Sequence, residues 1–140
     1  MDPNVLLKKD MKEKQELVNI ILDRYLPRKD EYPKEIHKAL RYSIFAGGKR
    51  LRPYLTLATY QMYKEDLEPI TPVAAAIEML HTYTLIHDDL PCMDDDDLRR
   101  GQPTVHRKWN EATAVLAGDA LQALAFQLVC QVECPPERRL

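Results

Sequence analysis

Glycine and the large aromatics are scarce in this chain of 140 residues, which holds four glycines, two phenylalanines and one tryptophan. So few glycines leave little material for the tight turns and bulges of a many-stranded sheet. No run of four to eight residues alternates cleanly between apolar and polar side chains either. An all-β fold is thereby excluded. Cysteine is sparse and odd in number, at Cys92, Cys130 and Cys134. Three thiols make no disulfide framework, and Cys130-x3-Cys134 lacks the spacing and companions of a zinc site. A reducing, cytoplasmic setting is expected. An excess of one charge is missing as well, since 20 Lys and Arg face 22 Asp and Glu for a net of −2. With both signs mixed along the chain, nucleic acid is not an expected partner. The opening MDPNVLLKKDMKEK has no apolar run of signal-peptide length. No stretch reads as the roughly 18 apolar residues of a membrane span.

Helix periodicity, by contrast, is present almost throughout, and 45% apolar residues suffice for the core of one domain. The spacing predicts a first helix over Val5 to Tyr25, with Leu17, Ile20, Ile21 and Tyr25 on its apolar side. Pro33 fits the first position of a second helix that ends at Gly47 and Gly48. Pro53 is expected to start a third, running to about Tyr63. Thr71 and Pro72 read as the cap and first turn of a fourth, which continues to about Asp89 before Pro91 stops it. Asn110 and Glu111 cap a fifth, to about Val132, and the tail ECPPERRL is a stop. The class is all-α.

The chemistry concentrates in HDDLPCMDDDDLRRGQPTVH, His87 to His106, which packs six aspartates into ten positions. Asp88 and Asp89 fall at a helix C-terminus, where the dipole disfavours each carboxylate by roughly 0.3–1 kcal/mol. Something positive should compensate. Magnesium suits this, as a hard cation that shares its shell between one or two carboxylates and substrate phosphates. Arg99 and Arg100 follow at once. His81 and Asp88 lie two turns apart on one helical face, with Thr84 between them; a histidine there fits the core as well as a ligand role. The run is not an EF-hand, because Arg99 stands where a glycine would be needed.

The second stretch, GGKRLRP from Gly47 to Pro53, puts three cations into four positions between two helices. Guanidinium and ammonium groups are the usual phosphate ligands, and a helix start favours anions. It is not a P-loop, since Ser43 and Arg50 stand where that pattern needs Gly and Ser or Thr. A carboxylate about 4 Å from a phosphate oxygen is repelled by ~4 kcal/mol at an effective dielectric of 20. The aspartates could therefore hold a phosphate only through a metal, while the basic stretch could hold another without one. Two anionic substrates bound in different ways is what the pair of patches suggests.

GGKRLRP, EMLHTYTLIHDDLPCMDDDDLRRGQPT and LAGDALQALAF resemble the trans-polyprenyl diphosphate synthases, particularly bacterial short-chain farnesyl diphosphate synthases, from Tyr32 to Cys130. The resemblance implies the N-terminal helices of the isoprenoid synthase fold. It also implies a magnesium-dependent prenyltransferase that joins isopentenyl diphosphate to an allylic diphosphate, dimethylallyl or geranyl. In that family the allylic diphosphate leaves, the double bond of isopentenyl diphosphate attacks the carbocation, and a proton is lost. Carried over by motif position, Asp88 and Asp94 would be magnesium ligands, with Asp89 in support and Arg99 on the allylic diphosphate. Lys49, Arg52, His81 and Arg100 would hold the diphosphate of isopentenyl diphosphate, with Gly48 as the adjoining loop position. Tyr83 and Thr84, five and four before Asp88, would form the chain-length floor, and the bulky Tyr83 resembles the farnesyl type. A homodimer is expected at full length.

Members of that family are about twice as long and carry a second aspartate-rich motif, which is absent here. Residues 1–140 are thus expected to be an N-terminal part, without prenyl transfer of its own. A half-cavity is also expected to leave Leu85 and the Ala-rich side of the fifth helix open to water. Three alternatives stand beside the farnesyl reading. One is a geranylgeranyl diphosphate synthase, and another is a non-catalytic diphosphate-binding or partner chain. The third is an HD-type phosphohydrolase built on His87 and Asp88, with His37 or His81 and Asp119; it leaves GGKRLRP and DDDDLRRG unexplained.

Overall fold

The computed structural model describes residues 2–135 and 137. Helix α1 spans Pro3–Tyr25, and the Asp2 side chain caps it by accepting from the Asn4 amide at 2.9 Å. Its buried stripe is Val18, Ile21 and Leu22, with the stem of Lys14 one turn earlier, whereas Ile20 is 62% exposed. The expected apolar side was therefore wrong at Ile20, which sits a third of a turn from the stripe. Helix α2 covers Lys34–Phe45, with Pro33 extended at its N-cap rather than inside it.

Helix α3, Leu51–Gln61, starts two residues before the proline expected to open it. Pro53 takes its third position instead, where an amide would have no intrahelical partner to lose. Arg50 caps this helix in the left-handed region, at φ 51°. A single 3-10 turn, Glu68–Ile70, leads directly into α4, Thr71–Asp88. Thr71 is thus the first helical residue and not the cap, and its hydroxyl donates back to the Glu68 carbonyl at 2.9 Å.

Beyond α4 the chain does something the sequence pattern did not announce. Leu98–Arg99 (β1) and Gln102–Pro103 (β2) pair antiparallel, Leu98 opposite Pro103 and Arg99 opposite Gln102. The two linking residues, Arg100 and Gly101, have φ of +54° and +77°, the double positive φ of a two-residue hairpin turn. A four-residue helix α5, Val105–Lys108, follows, and then α6, Glu111–Cys130, capped by Asn110 accepting from the Thr113 amide at 2.8 Å.

Helix α4 lies at the centre and packs on α1, α2, α3 and α6. Its Ala74, Ala75, Ala76 and Met79 are fully buried, as are Ala114, Ala117, Leu121 and Ala125 of α6. Small side chains on both helices let the backbones come close. The expectation of an open Ala-rich side is therefore corrected: that side faces the core. The exposed side of α6 carries Val115, Leu116 and Phe126 instead, while Leu85 is half-buried. Helix α6 is also long and apolar enough to cross a membrane by length and composition alone, which the sequence reading passed over. One side of it is buried in this core.

Candidate active site

The six aspartates do not share one environment. Asp89 is 4% exposed, and Arg99 reaches it from the hairpin with Nε at 2.7 and 2.9 Å from the two carboxylate oxygens and Nη2 at 2.5 Å. Those hydrogen bonds raise the Arg99 guanidinium above its ordinary range, against a smaller opposing effect of burial. Asp96 lies 3.6 Å from the same guanidinium. Asp95 and Asp97 both pair with Arg107 of α5, the former at 3.7 Å. Among the described residues that leaves Asp88 and Asp94 without an ion-pair partner.

These two are joined through the backbone, the Asp94 amide donating to the Asp88 carbonyl at 2.8 Å. Asp94 is exposed and Asp88 half-buried at the end of α4. The structure thus sorts the cluster into carboxylates that hold the loop together and two that remain available. Asp89, expected in support of a metal, is engaged by Arg99. It acts on the site through that arginine, whose Nη1 keeps its donors free of any partner among the described residues.

The basic stretch forms one wall of an open cleft of about 650 Å³. Gly48, Lys49, Arg52, His81 and Arg100 all line it, so the five residues expected to bind one diphosphate are brought together. Three residues that the motif reading did not single out hold them there. Arg50 is 3% exposed, and its side chain donates to Glu78 Oε1 at 2.8 Å, Asn19 Oδ1 at 3.0 Å and the Ile44 carbonyl at 2.6 Å. Glu78 lies on α4 one turn before His81 and is 2% exposed. Gln15 of α1 donates to the Gly48 carbonyl at 2.7 Å. A cation that reads as a phosphate ligand is here the loop's anchor, and only the acidic partner on α4 could have signalled it.

Gly48 is required by the approach of Arg100, whose guanidinium donates to the Gly47 carbonyl across the loop. A β-carbon on Gly48 would stand 2.7 Å from that guanidinium, and φ there is +135°. Burial pushes the Arg100 guanidinium below its ordinary range, Arg50 adds to this, and Glu78 opposes it. The His81 imidazole is likewise held below its usual value, first by burial and then by Arg52, with Glu78 opposing. Like charges gathered on one open wall make a place for an anion.

Consecutive residues of the hairpin therefore serve two places, Arg99 of β1 the acidic loop and Arg100 of the turn the basic cleft. Tyr83 and Thr84 are not among the residues that line the basic cleft. Tyr83 meets His87 edge to face, with ring centroids 5.6 Å apart, and His87 Nε2 lies 3.1 Å from the Val115 carbonyl on α6. A β-carbon at Gly118 would fall inside that imidazole, so this glycine makes the notch in which α4 seats against α6. Thr84 donates to the His81 carbonyl at 2.8 Å.

Residues 33–139 match the polyprenyl synthetase family. The chain belongs to that family. It is 50% identical over 133 residues to the farnesyl diphosphate synthase of Geobacillus stearothermophilus, covering 93% of this chain and 44% of that one. It is 54% identical over 114 residues to the heterodimeric geranylgeranyl pyrophosphate synthase large subunit 1, chloroplastic, of Arabidopsis thaliana, covering 81% of this chain and 30% of that one. The fold matches the apo structure of an FPP/GFPP synthase from Zymomonas mobilis with a TM-score of 0.88 and 44% identity, over 96% of this chain and 49% of that one. A geranyltransferase from Legionella pneumophila superposes with a TM-score of 0.89 at 37% identity, over 99% of this chain and 50% of that one. The chain therefore spans half or less of the length of these relatives.

Proposed function

We propose that the chain supplies one substrate-binding wall of a magnesium-dependent prenyltransferase. In this reading a protein of the relatives' full length joins isopentenyl diphosphate to dimethylallyl or geranyl diphosphate and makes farnesyl diphosphate. The observation that carries the reading is the separation of two anion-handling places by a single hairpin. One is a cleft of cations that needs no metal. The other is a pair of carboxylates that no phosphate could approach without one.

Magnesium fits the second place by the chemistry of its donors: two oxygen ligands without cationic partners, on a loop tied by backbone hydrogen bonds. Among the described residues no three His, Cys, Asp or Glu side chains form a group that could hold a metal by itself. That accords with an ion completed by substrate oxygens. When bound there, the ion would act as a Lewis acid on the departing diphosphate. The chain's own residues bind and orient. Lys49, Arg52, His81 and Arg100 would seat the diphosphate of isopentenyl diphosphate, and Arg99, steadied by Asp89, would turn its free Nη1 to the allylic one.

The farnesyl product is supported by the bulk of Tyr83 and by the similarity to farnesyl diphosphate synthases. A geranylgeranyl product is the second reading, favoured by an equally strong similarity to synthases of that name. A homodimer at full length is proposed from the family resemblance alone. The test is labelled isopentenyl diphosphate with geranyl diphosphate and magnesium, supplied to a protein of full family length, with product length read by chromatography. Fifteen-carbon product, shifted to twenty or more by Tyr83→Ala, is expected. Absence of any labelled isoprenoid would refute the reading.

A further inference from the structure

One buried group near the acidic loop takes no part in anything described above. His106 of α5 is 7% exposed. Its Nδ1 lies 3.1 Å from the Thr104 hydroxyl, while its Nε2 is buried with no hydrogen-bond partner among the described residues. Thr104 is itself 3% exposed. Its hydroxyl lies 2.9 Å from the Asp96 carbonyl and 3.4 Å from the Asp97 carbonyl, and its amide donates to Asp97 O at 3.0 Å.

Counting protons fixes the direction of this chain. A hydroxyl has one proton, and a carbonyl can only accept. The Thr104 proton must therefore go to the loop carbonyls, since turning it towards His106 would leave two oxygens facing each other at 2.9 Å. The hydroxyl then accepts from His106, which must carry its proton on Nδ1. That tautomer leaves only a lone pair at the buried Nε2, not an unpaired N–H. The one polar contact of this imidazole among the described residues is therefore made by Nδ1.

We propose that His106 and Thr104 form a positioning relay for the metal loop, in which His106 Nδ1–H orients the Thr104 hydroxyl and that hydroxyl fixes the backbone at Asp96 and Asp97. The returning limb of the loop is thereby pinned at Asp96 and Asp97, and Arg107 clasps the side chains of Asp95 and Asp97 from the same short helix. The Arg107 pairs are half exposed and contribute little by themselves. The buried relay is the stiffer part. It rests on the reading of Asp88 and Asp94 as magnesium ligands and deepens it, because the relay fixes the backbone two and three residues beyond Asp94 and so acts on that carboxylate's placement through the loop.

The experiment measures magnesium-dependent binding of a thio-analogue of an allylic diphosphate by titration calorimetry and extracts the half-saturating magnesium concentration. Thr104→Val and His106→Gln should each raise it by about threefold or more, short of the roughly 10–100-fold seen for partners bonded directly to a ligand. Thr104→Ser keeps the hydroxyl, and the amide of Asn sits where Nδ1 does, so Thr104→Ser and His106→Asn should recover most of the loss. Metal-free binding of inorganic diphosphate at Lys49 and Arg52, measured on the same samples, should stay unchanged and report a folded chain. Wild-type magnesium dependence in Thr104→Val and His106→Gln would overturn the relay alone. So would equal losses in the Ser and Asn variants, which would make packing the cause. A wild-type chain without any magnesium-dependent binding would overturn the metal reading, and the relay with it.

Discussion

Replacing Glu78 by glutamine removes one charge and almost no volume from the most enclosed ion pair among the described residues. Arg50 and Glu78 have side chains only 2% and 3% exposed and lie 2.8 Å apart. Removing one member of such a pair typically costs about 3–5 kcal/mol, because the other charge remains buried and uncompensated. Arg50 would keep its bonds to Asn19 and the Ile44 carbonyl, which places the expected cost at the lower end, about 3 kcal/mol. Against a total stability of about 5–15 kcal/mol, that is a large share. For a chain of this size each kcal/mol moves the melting temperature by about 3–4 °C, so Glu78→Gln should lower it by roughly 10 °C. Circular dichroism melts can read this directly. The double variant Arg50→Met with Glu78→Leu should recover most of the loss, since well-packed apolar replacements of buried pairs are often neutral. Arg50 also holds the turn into α3 in a left-handed conformation, so the loop carrying Gly48 and Lys49 should loosen and anion affinity fall with stability. A Glu78→Gln melt within ~2 °C of wild type would refute the reasoning, because the guanidinium would then be satisfied by its neutral partners alone.

Gly118→Ala should destabilise the chain by about 1–3 kcal/mol, the usual cost of overpacking, although alanine is the better helix former by about 1 kcal/mol. A higher melting temperature would show that α4 and α6 do not need the notch. Gly48→Ala should weaken inorganic diphosphate binding roughly tenfold, the worth of one charge-assisted hydrogen bond from a displaced Arg100; unchanged affinity by calorimetry would remove Arg100 from the cleft's function. For His81 the sign follows from the lowered folded value. The unfolded chain takes up the proton at higher pH than the folded chain does. Stability should thus be level above about pH 6.5 and fall as the pH drops below it. His81→Gln should flatten that acid limb in denaturant titrations, and an unaltered limb would assign it to other groups.

Much of the architecture was legible because long amphipathic stretches with Pro and Asn at their starts are strong local signals. Asn110 capped its helix as expected, and Pro91 marked the end of α4 within a few residues. Boundaries failed where a proline can occupy more than one early position, as Pro53 and Pro72 do. The hairpin was not legible, since two-residue strands show no alternation; only Arg-Gly at a two-residue turn pointed to it. Within the site, motif spacing located Lys49, Arg52, His81 and Arg100 on one wall. It could not tell which cation is buried or which aspartates are already paired. Arg50 and Asp89 belong to that class, because their roles depend on Glu78 and Arg99, partners 28 and 10 residues away. Arg107 and the Thr104–His106 relay carry no sequence signature at all.

The most direct measurement is a calorimetric titration of inorganic diphosphate into the chain, with and without magnesium, in wild type, Lys49→Ala with Arg52→Ala, and Asp88→Asn with Asp94→Asn. The account predicts two separable binding events. One needs no metal and is lost with Lys49 and Arg52; the other needs magnesium and is lost with Asp88 and Asp94. A single event, or a magnesium-dependent event that survives Asp88→Asn with Asp94→Asn, would contradict it.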